Sequence, residues 1–235
     1  MTEKLFLADA YLREARTQVV SADAQGIVLR STNFYAQGGG QPGDIGEFIA
    51  SDGSVFQIVN TIYDADRKTI LHVPAEGAPL PMSGDEVVAR FNWDLRYARM
   101  RAHTALHLLT AVLPYPVTGG SIGDGDGRLD FDSGEAALDK ADIEARLNAL
   151  IAADAATSTR WISDDELLAN PALVKTLSVK PPMGTGRVRL VAIEAIDLQP
   201  CGGTHVARTG EIGVARVTQI EKKGKINRRV RIALQ

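Results

Sequence analysis

The sequence predicts an α+β fold, in which a small β-barrel-like domain is followed by a domain of mixed helices and strands. In the first 92 residues, short β-prone runs alternate with Gly, Pro, Asp and Ser, and no helical period is sustained. After Phe91 apolar residues recur at helical spacing, and strand-like runs return near the end of the sequence. We therefore expect a β domain over residues 1–92 and an α+β domain over residues 93–235.

The first part contains four β-prone runs, which are Gln18–Val20, Gly26–Arg30, Phe56–Tyr63 and Thr69–Val73. Short strands separated by turn residues are typical of a small antiparallel barrel or sandwich. We interpret His72, in the last run, as an ordinary strand residue. The proline-rich residues 75–84 are expected to form a loop.

Three helices are predicted in the second part. Asp94–Leu113 lacks Gly and Pro until Pro114 stops it, and Asp139–Ala156 carries an apolar stripe. Ser163 and Glu166 have the spacing of a capping box, which predicts a short third helix. Strands are expected at Arg187–Ile193, Gly213–Ile220 and Ile226–Leu234, with a turn at Lys222–Lys225.

The composition is that of an ordinary globular protein, with 45% hydrophobic and 23% charged residues among 235. No apolar run approaches the roughly 20 residues that a membrane-spanning helix needs. Charges interrupt the N-terminus too early for a secretory signal. We therefore expect a cytoplasmic protein with no membrane partner. The single cysteine excludes an internal disulfide, so Cys201 needs another explanation.

Three of the four histidines and the only cysteine fall in two pairs with the same spacing. His103 and His107 stand four residues apart in a predicted helix, so they share one face and can point at one ion. Cys201 and His205 are also four residues apart, and the Gly-Gly between them permits a tight turn. Imidazole and thiolate together favour Zn²⁺ over Mg²⁺ or Ca²⁺.

The number of ligands that bind at once decides what such an ion does. Four protein ligands close a tetrahedral site and make it structural, whereas a catalytic zinc keeps one position open for water. The sequence is compatible with both arrangements.

A second motif is the glycine-rich run Gln37-Gly38-Gly39-Gly40-Gln41. Consecutive glycines let a backbone approach a ligand closely, and their amides can line an anion site. They are also typical of a flexible β-hairpin loop. On the glycines alone the hairpin loop is the favoured interpretation.

Four motifs together resemble a known family. The glycine loop, the Arg-x-His-Thr-x-x-His helix from Arg101, the Gly-Arg-Leu-Asp-Phe strand at Gly127–Phe131 and Pro-Cys-Gly-Gly-Thr-His from Pro200 occur in the order found in alanyl-tRNA synthetase editing domains. The resemblance extends over nearly the whole chain. It is strongest to the free-standing alanyl-tRNA editing proteins of the longer type, which keep the glycine-loop domain.

This resemblance implies a hydrolase that removes serine, and also glycine, from mischarged tRNA(Ala). The editing domain would hold Zn²⁺ through four ligands, which are His103, His107, Cys201 and His205. Thr104 resembles the threonine that senses the serine hydroxyl, and is placed with Cys201 among the catalytic residues. The glycine-loop residues that would lie near the tRNA acceptor end are Gln37, Gly38, Gly39, Gly40 and Gln41. No nucleotide cofactor is expected, and the protein would edit in trans.

A basic block at the end of the sequence agrees with an RNA partner. The net charge is −3, but residues 207–235 carry eight basic and two acidic side chains. In a strand, Arg229 and Arg231 share one face and suit backbone phosphates. Arg96, Arg99 and Arg101 are expected to add to this surface. The alternative is a solvated edge that guards against aggregation.

Other functions remain open at this point. Threonyl-tRNA synthetase editing domains share the two metal-type motifs, so seryl-tRNA(Thr) is an alternative substrate. A zinc-stabilised tRNA-binding module without activity is another. A small-molecule zinc hydrolase, such as a peptidase, is disfavoured because the helix lacks the Glu of His-Glu-x-x-His.

Overall fold

The computed structural model describes residues 2–65, 67–176, 186–224 and 226–235. These residues form a mixed α+β fold, as predicted, and divide into two compact units, Met1–Tyr97 and Ala98–Gln235. Compactness does not test whether the units fold independently. The domains predicted at residues 1–92 and 93–235 therefore stay a prediction.

The first unit contains a closed barrel of six strands in the order β2-β3-β7-β6-β5-β8. A short parallel pair, β1 and β4, accompanies it. The strand bounds are β1 Glu3–Lys4, β2 Glu14–Asp23, β3 Gly26–Leu29, β4 Ser31–Thr32, β5 Gly46–Ala50, β6 Val55–Tyr63, β7 Ile70–Pro74 and β8 Glu86–Phe91. The predicted barrel is thus confirmed, although β5 and β8 were not expected.

Side chains along a barrel strand alternate between buried and exposed positions. In β6 the side chains of Phe56 and Ile58 are buried, while Val55, Gln57 and Val59 are exposed. This period of two places one set of side chains inside the barrel. The aromatic rings of Phe34, Phe48 and Phe91 meet edge to face in this core.

The helix α1 spans Trp93–Val112 and joins the two parts of the sequence. It begins after Asn92, whose Oδ1 accepts a hydrogen bond from the Leu95 amide at 3.1 Å, and it ends before Pro114. Every residue from 102 to 110 is buried. A helix buried all round is held by packing on every face, so the polar side chains within this stretch have fixed positions. Among the described residues, no helix is long and apolar enough to cross a membrane.

The second unit contains two antiparallel sheets. One has the order β14-β15-β10-β9 and the other β11-β12-β13. The bounds are β9 Val117–Ile122, β10 Asp126–Asp132, β11 Thr157–Ser163, β12 Arg187–Ile193, β13 Asp197–Pro200, β14 Ala215–Lys223 and β15 Asn227–Leu234. The helices are α2 Lys140–Ala152 and α3 Asp164–Ala169.

Three predicted boundaries need correction or comment. The helix α2 ends at Ala152, before the predicted Ala156, because Asp154 has a positive φ of 49° that a helix cannot continue through. The predicted turn at Lys222–Lys225 is wrong in its first half, since Lys222 and Lys223 still belong to β14 and pair with β15. Lys225 lies outside the described residues. The capping box of α3 is confirmed, with Ser163 Oγ accepting from the Glu166 amide at 3.0 Å.

Candidate metal centre

Four side chains converge in the second unit. His103 and His107 lie one turn apart on α1, while Cys201 directly follows β13 and His205 comes after the Gly202-Gly203-Thr204 segment. One ligand atom from each residue lies within 4.8 Å of the other three, so the group could hold a metal ion. His103, His107 and His205 are buried and Cys201 is partly exposed. The structure therefore brings together the four residues that the two motifs predicted.

The interatomic distances agree with a tetrahedral ion. Cys201 Sγ lies 3.6 Å from His103 Nε2 and 3.3 Å from His205 Nε2. Zn–S bonds of about 2.3 Å and Zn–N bonds of about 2.0 Å at tetrahedral angles place the two donors about 3.6 Å apart. Three imidazoles and one thiolate, whose ligand atoms all lie within 4.8 Å of one another, are a donor set that suits zinc. The residues present therefore fit zinc.

The cysteine loop is held by Arg189, which the sequence did not single out. Arg189 lies on β12, and its Nη1 donates to the carbonyls of Cys201 at 3.0 Å and Gly203 at 2.9 Å. The Cys201 amide in turn donates to the Arg189 carbonyl at 3.1 Å, which extends the pairing of β12 and β13 by one residue. A buried guanidinium thus fixes both ends of the turn that carries the thiol.

His107 is oriented by Asp197. His107 Nδ1 lies 3.0 Å from Asp197 Oδ2, and Gln199 Nε2 donates to the same oxygen at 2.7 Å. Lys175 Nζ forms an ion pair with the other carboxylate oxygen. An Nδ1–H bonded to a carboxylate leaves His107 Nε2 free to bind a metal, which is the usual support of a histidine ligand.

The sequence contains a pattern from which Asp197 and Gln199 could have been identified. With Cys201 they occupy positions i, i+2 and i+4 of Asp197-Leu198-Gln199-Pro200-Cys201, and such positions share one face of a strand. A strand prediction for this segment would have placed all three beside the histidines.

His205 is oriented by Thr104. The Thr104 hydroxyl lies 3.1 Å from His205 Nδ1, donates to the Met100 carbonyl at 3.0 Å and accepts from the Val206 amide at 3.2 Å. Thr104 is fully buried. Its hydroxyl therefore contacts a predicted ligand and the backbone on either side of the cluster.

The charges of the cluster follow from these contacts. Burial raises the pKa of the Cys201 thiol, but electrostatic interactions with His103 and His205 outweigh this effect and hold the pKa well below its usual value. Burial opposes protonation of His107, yet the hydrogen bonds to Asp197 and Cys201 raise its pKa to about 9. Burial and the nearby His103 charge lower the pKa of His205 to about 3. A thiolate among imidazoles suits a cation.

The glycine loop of the first unit is a two-residue turn. Gly38 and Gln41 exchange backbone hydrogen bonds of 3.1 and 2.9 Å, and Gly39 and Gly40 have φ values of 56° and 83°. Two consecutive positive φ values define a type I′ turn, which favours glycine at both positions. Gln37, Gly39 and Gly40 are exposed, whereas Gln41 is buried.

Next to the turn in sequence, Asp44 forms an ion pair with Arg96 that is almost entirely buried. The Asp44 carboxylate accepts from the Tyr35 amide at 2.6 Å, and Arg96 donates to the Asn33 carbonyl at 2.8 Å. Arg96 therefore supports the glycine-loop segment. The expectation that it adds to a phosphate-binding surface is wrong, because the side chain has no exposed surface.

The other predicted arginines already have acidic or carbonyl partners. Arg229 forms a two-pronged ion pair with Asp130 at 2.7 and 2.8 Å, and Arg231 pairs with Glu221 at 2.6 Å. Val230 on the other face of β15 is buried, as the alternation predicted. Arg99 is nearly buried beside Asp124, and Arg101 donates to the Ile212 carbonyl.

Comparisons with known proteins identify the family of this chain. Residues 188–231 match the family model of the threonyl and alanyl tRNA synthetase second additional domain, and residues 3–95 match that of the class II (A) tRNA synthetases. The chain is 34% identical to alanyl-tRNA editing protein AlaX-M of Methanosarcina acetivorans, over 100% of this chain and 99% of that protein.

Two further relatives match nearly the whole of this chain. AlaX-M of Saccharolobus solfataricus is 33% identical over 98% of both chains. The alanine–tRNA ligase of Pyrobaculum arsenaticum is 32% identical over 94% of this chain and 25% of the ligase. These matches place the chain among relatives of the class II aminoacyl-tRNA synthetases. Within that class, the chain belongs to the alanyl-tRNA editing protein family.

Proposed function

We propose that this protein is a zinc-dependent hydrolase that removes serine from mischarged tRNA(Ala), and glycine in the same way. Convergence of His103, His107, Cys201 and His205 is the observation that carries the proposal. Family membership supports the substrate class, because the relatives are named alanyl-tRNA editing proteins.

The ester that links an amino acid to ribose is already activated, so no protein nucleophile is required. Zinc, when bound, would supply Lewis-acid polarisation of the ester carbonyl or lower the pKa of a water molecule. The chain's own residues hold the donors in place. Asp197 keeps the Nδ1 proton of His107 on the side away from the cluster, and Thr104 does the same for His205.

Cys201 supplies the only anionic donor of the four. Its thiolate offsets the charge of the ion, and it is the one member of the set that is not buried. Arg189 donates to the carbonyls of Cys201 and Gly203, so the backbone that carries the thiol cannot shift without breaking two hydrogen bonds. We infer that substrate reaches the cluster from the side of Cys201.

Discrimination for serine is assigned to Thr104. A site built to hydrogen-bond a hydroxyl rejects an analogue that lacks it, which would spare alanyl-tRNA(Ala). The Thr104 hydroxyl has three neighbours in the structure, so a serine contact has to be shared with His205 or with the backbone. The Thr104 hydroxyl would therefore have two roles: it supports His205, and it contacts the serine hydroxyl of the substrate.

The tRNA contacts are assigned to two surfaces. The glycine turn, with Gln37, Gly38, Gly39, Gly40 and Gln41, is proposed to approach the acceptor end through its exposed residues, Gln37, Gly39 and Gly40, while Gln41 is buried and supports the turn. Arg229 and Arg231 are proposed to face phosphates. The side chain of Arg231 is 40% exposed and that of Arg229 is 14% exposed, so Arg231 is the more accessible of the two. Each arginine keeps its carboxylate partner in this proposal, which reduces the net charge it offers to phosphate.

The deciding experiment compares four substrates with the zinc-loaded protein: seryl-tRNA(Ala), glycyl-tRNA(Ala), alanyl-tRNA(Ala) and seryl-tRNA(Thr). We expect rapid loss of serine and glycine from tRNA(Ala) and little loss of alanine. Faster hydrolysis of seryl-tRNA(Thr) than of seryl-tRNA(Ala) would support the threonyl alternative. Binding of tRNA with no hydrolysis of any substrate would support a zinc-stabilised binding module.

A further inference from the structure

Trp161 is an exposed aromatic residue that the cluster does not use. It lies on β11, at the edge of the three-stranded sheet, and 44% of its surface is accessible. The guanidinium carbon of Arg187, on β12, lies 4.6 Å from the centre of the indole ring. An exposed indole beside a cation is the combination with which proteins stack nucleobases.

A row of residues across the sheet connects Trp161 to the cluster. Trp161 is directly opposite Arg189 in the pairing of β11 with β12. Arg189 is in turn opposite Cys201, whose amide donates to the Arg189 carbonyl at 3.1 Å. Neighbouring strands are about 4.8 Å apart, so two steps place the Trp161 backbone about 10 Å from that of Cys201. This separation is comparable with the length of one nucleoside.

The row lies on the face of the sheet that carries the cluster. Residues directly opposite each other in antiparallel strands project to the same face. Gln199 is opposite Val191, which is on the same face of β12 as Arg189, and Gln199 contacts His107. Trp161 therefore projects from the face on which the four ligands meet.

We propose that Trp161 is a stacking platform for the terminal adenine of the aminoacyl-tRNA, whose ester lies at the cluster. Every tRNA ends in the adenosine that carries the amino acid, so the base must lie one nucleoside length from the reacting carbonyl. Arg187 is itself exposed and lies over one face of the indole, so its charge suits the phosphate that precedes this adenosine. The inference rests on the proposed function. It adds a binding site for the base, distinct from the site for the amino acid.

The test uses two stable probes with an amide in place of the ester: the seryl amide of 3′-amino-3′-deoxyadenosine, and the same compound without its base. In a Trp93→Phe background Trp161 is the only tryptophan, and we expect the adenosine probe to quench its fluorescence. Trp161→Ala should weaken binding of the adenosine probe about five- to 150-fold, the range of one lost base stack. Trp161→Phe should retain most of the affinity.

The abasic probe and Arg160→Ala are the matched controls. The abasic probe should bind the wild-type protein and Trp161→Ala equally. Arg160 is exposed on the opposite face of β11, so its replacement should leave the affinity for the adenosine probe unchanged. Melting temperature and zinc content should be the same for all variants.

The outcomes separate this inference from the proposed function. Wild-type affinity of Trp161→Ala for the adenosine probe overturns the platform and makes the Trp161–Arg187 contact a support of the sheet edge. Equal loss of both probes also overturns it. Quenching by the adenosine probe in a protein that does not hydrolyse seryl-tRNA(Ala) contradicts the proposed function and leaves the platform standing. Binding of neither probe by the wild-type protein contradicts the platform.

Discussion

His107 Nδ1 lies 3.0 Å from Asp197 Oδ2, and both side chains are almost wholly buried. The carboxylate also holds Lys175, so one buried acid links a predicted ligand of α1 to a cation outside the cluster. Burial opposes ionisation of Asp197, but the hydrogen bond and charge of His107, with Lys175, lower its pKa to about 2. Asp197 is therefore ionised at neutral pH.

The first prediction concerns this carboxylate. Asp197→Asn removes the charge that fixes the Nδ1 proton of His107, and replacement of such supports usually lowers metal affinity about 10- to 100-fold. We expect a zinc affinity reduced at least tenfold, measured by competition with a chelator. Glu194→Gln, an exposed charge loss in the same hairpin, is the control and should bind zinc normally. Equal zinc affinity in both variants would mean that Asp197 does not position the ligand.

The second prediction separates the two effects assigned to Thr104. Thr104→Val keeps the shape and removes the acceptor at His205 Nδ1, so zinc affinity should fall. A lost serine contact of about 1.4 kcal/mol would lower the ratio of seryl to alanyl hydrolysis roughly tenfold. Both quantities are measured on one preparation, with Thr104→Ser as the control that keeps the hydroxyl. A ratio that stays at the wild-type value at saturating zinc would remove Thr104 from serine recognition.

The third prediction concerns the buried ion pair between Asp44 and Arg96. Arg96→Met leaves the Asp44 carboxylate buried without its partner, which typically costs about 3–5 kcal/mol. Arg90→Met breaks exposed ion pairs with Glu14 and Glu47 and should cost less than about 1 kcal/mol. Urea unfolding of both variants gives the free energies of unfolding. Similar losses in the two variants would show that Asp44–Arg96 does not anchor the loop.

The fourth prediction is a pH dependence that originates in the barrel. His72 is fully buried, with Nε2 2.8 Å from Thr32 Oγ1 and Nδ1 2.8 Å from the Ile27 carbonyl. Burial lowers its pKa to about 4, against a small opposing effect of the Ile27 carbonyl. The folded state thus favours the neutral ring, while an unfolded histidine has a pKa near 6.5.

Because the folded pKa of His72 lies below the unfolded pKa, the protein loses stability as the pH falls. The contribution of His72 is fully present above pH 6.5 and is lost as the pH falls towards 4, because the unfolded chain binds the proton first. The loss amounts to about 3 kcal/mol in the free energy of unfolding. Urea unfolding of metal-free protein between pH 7.5 and 4, compared with His72→Gln, isolates this group from the other histidines. Parallel pH profiles of the two proteins would contradict the assignment.

The parts of the fold that follow from local pattern were predictable. Trp93–Val112 was expected within one residue at each end, because Pro114 and an uninterrupted helical period mark its limits. The strand Arg187–Ile193 was expected at its observed bounds, since Val188, Val191 and Ile193 give it a β-prone composition, and it is buried on both faces. His72 is an ordinary core histidine of β7, as interpreted from its neighbours.

The parts that depend on contacts far apart in sequence were not predictable. Arg189 and Lys175 are isolated polar residues, and only the pairing of β12 with β13 and the packing beside α1 give them a role. The acidic partners of Arg229 and Arg231 were missed for the same reason, because Asp130 and Glu221 lie on neighbouring strands. Spacing motifs revealed the ligands, whereas the groups that hold them required the tertiary fold.

The central claim is tested most directly by release of labelled serine from seryl-tRNA(Ala) as zinc is returned to metal-free protein. We predict that hydrolysis rises with zinc and saturates at one ion per chain, and that Cys201→Ala neither holds the ion nor releases serine. Full activity of the metal-free wild-type protein, or wild-type activity of Cys201→Ala with no bound metal by elemental analysis, would contradict the account.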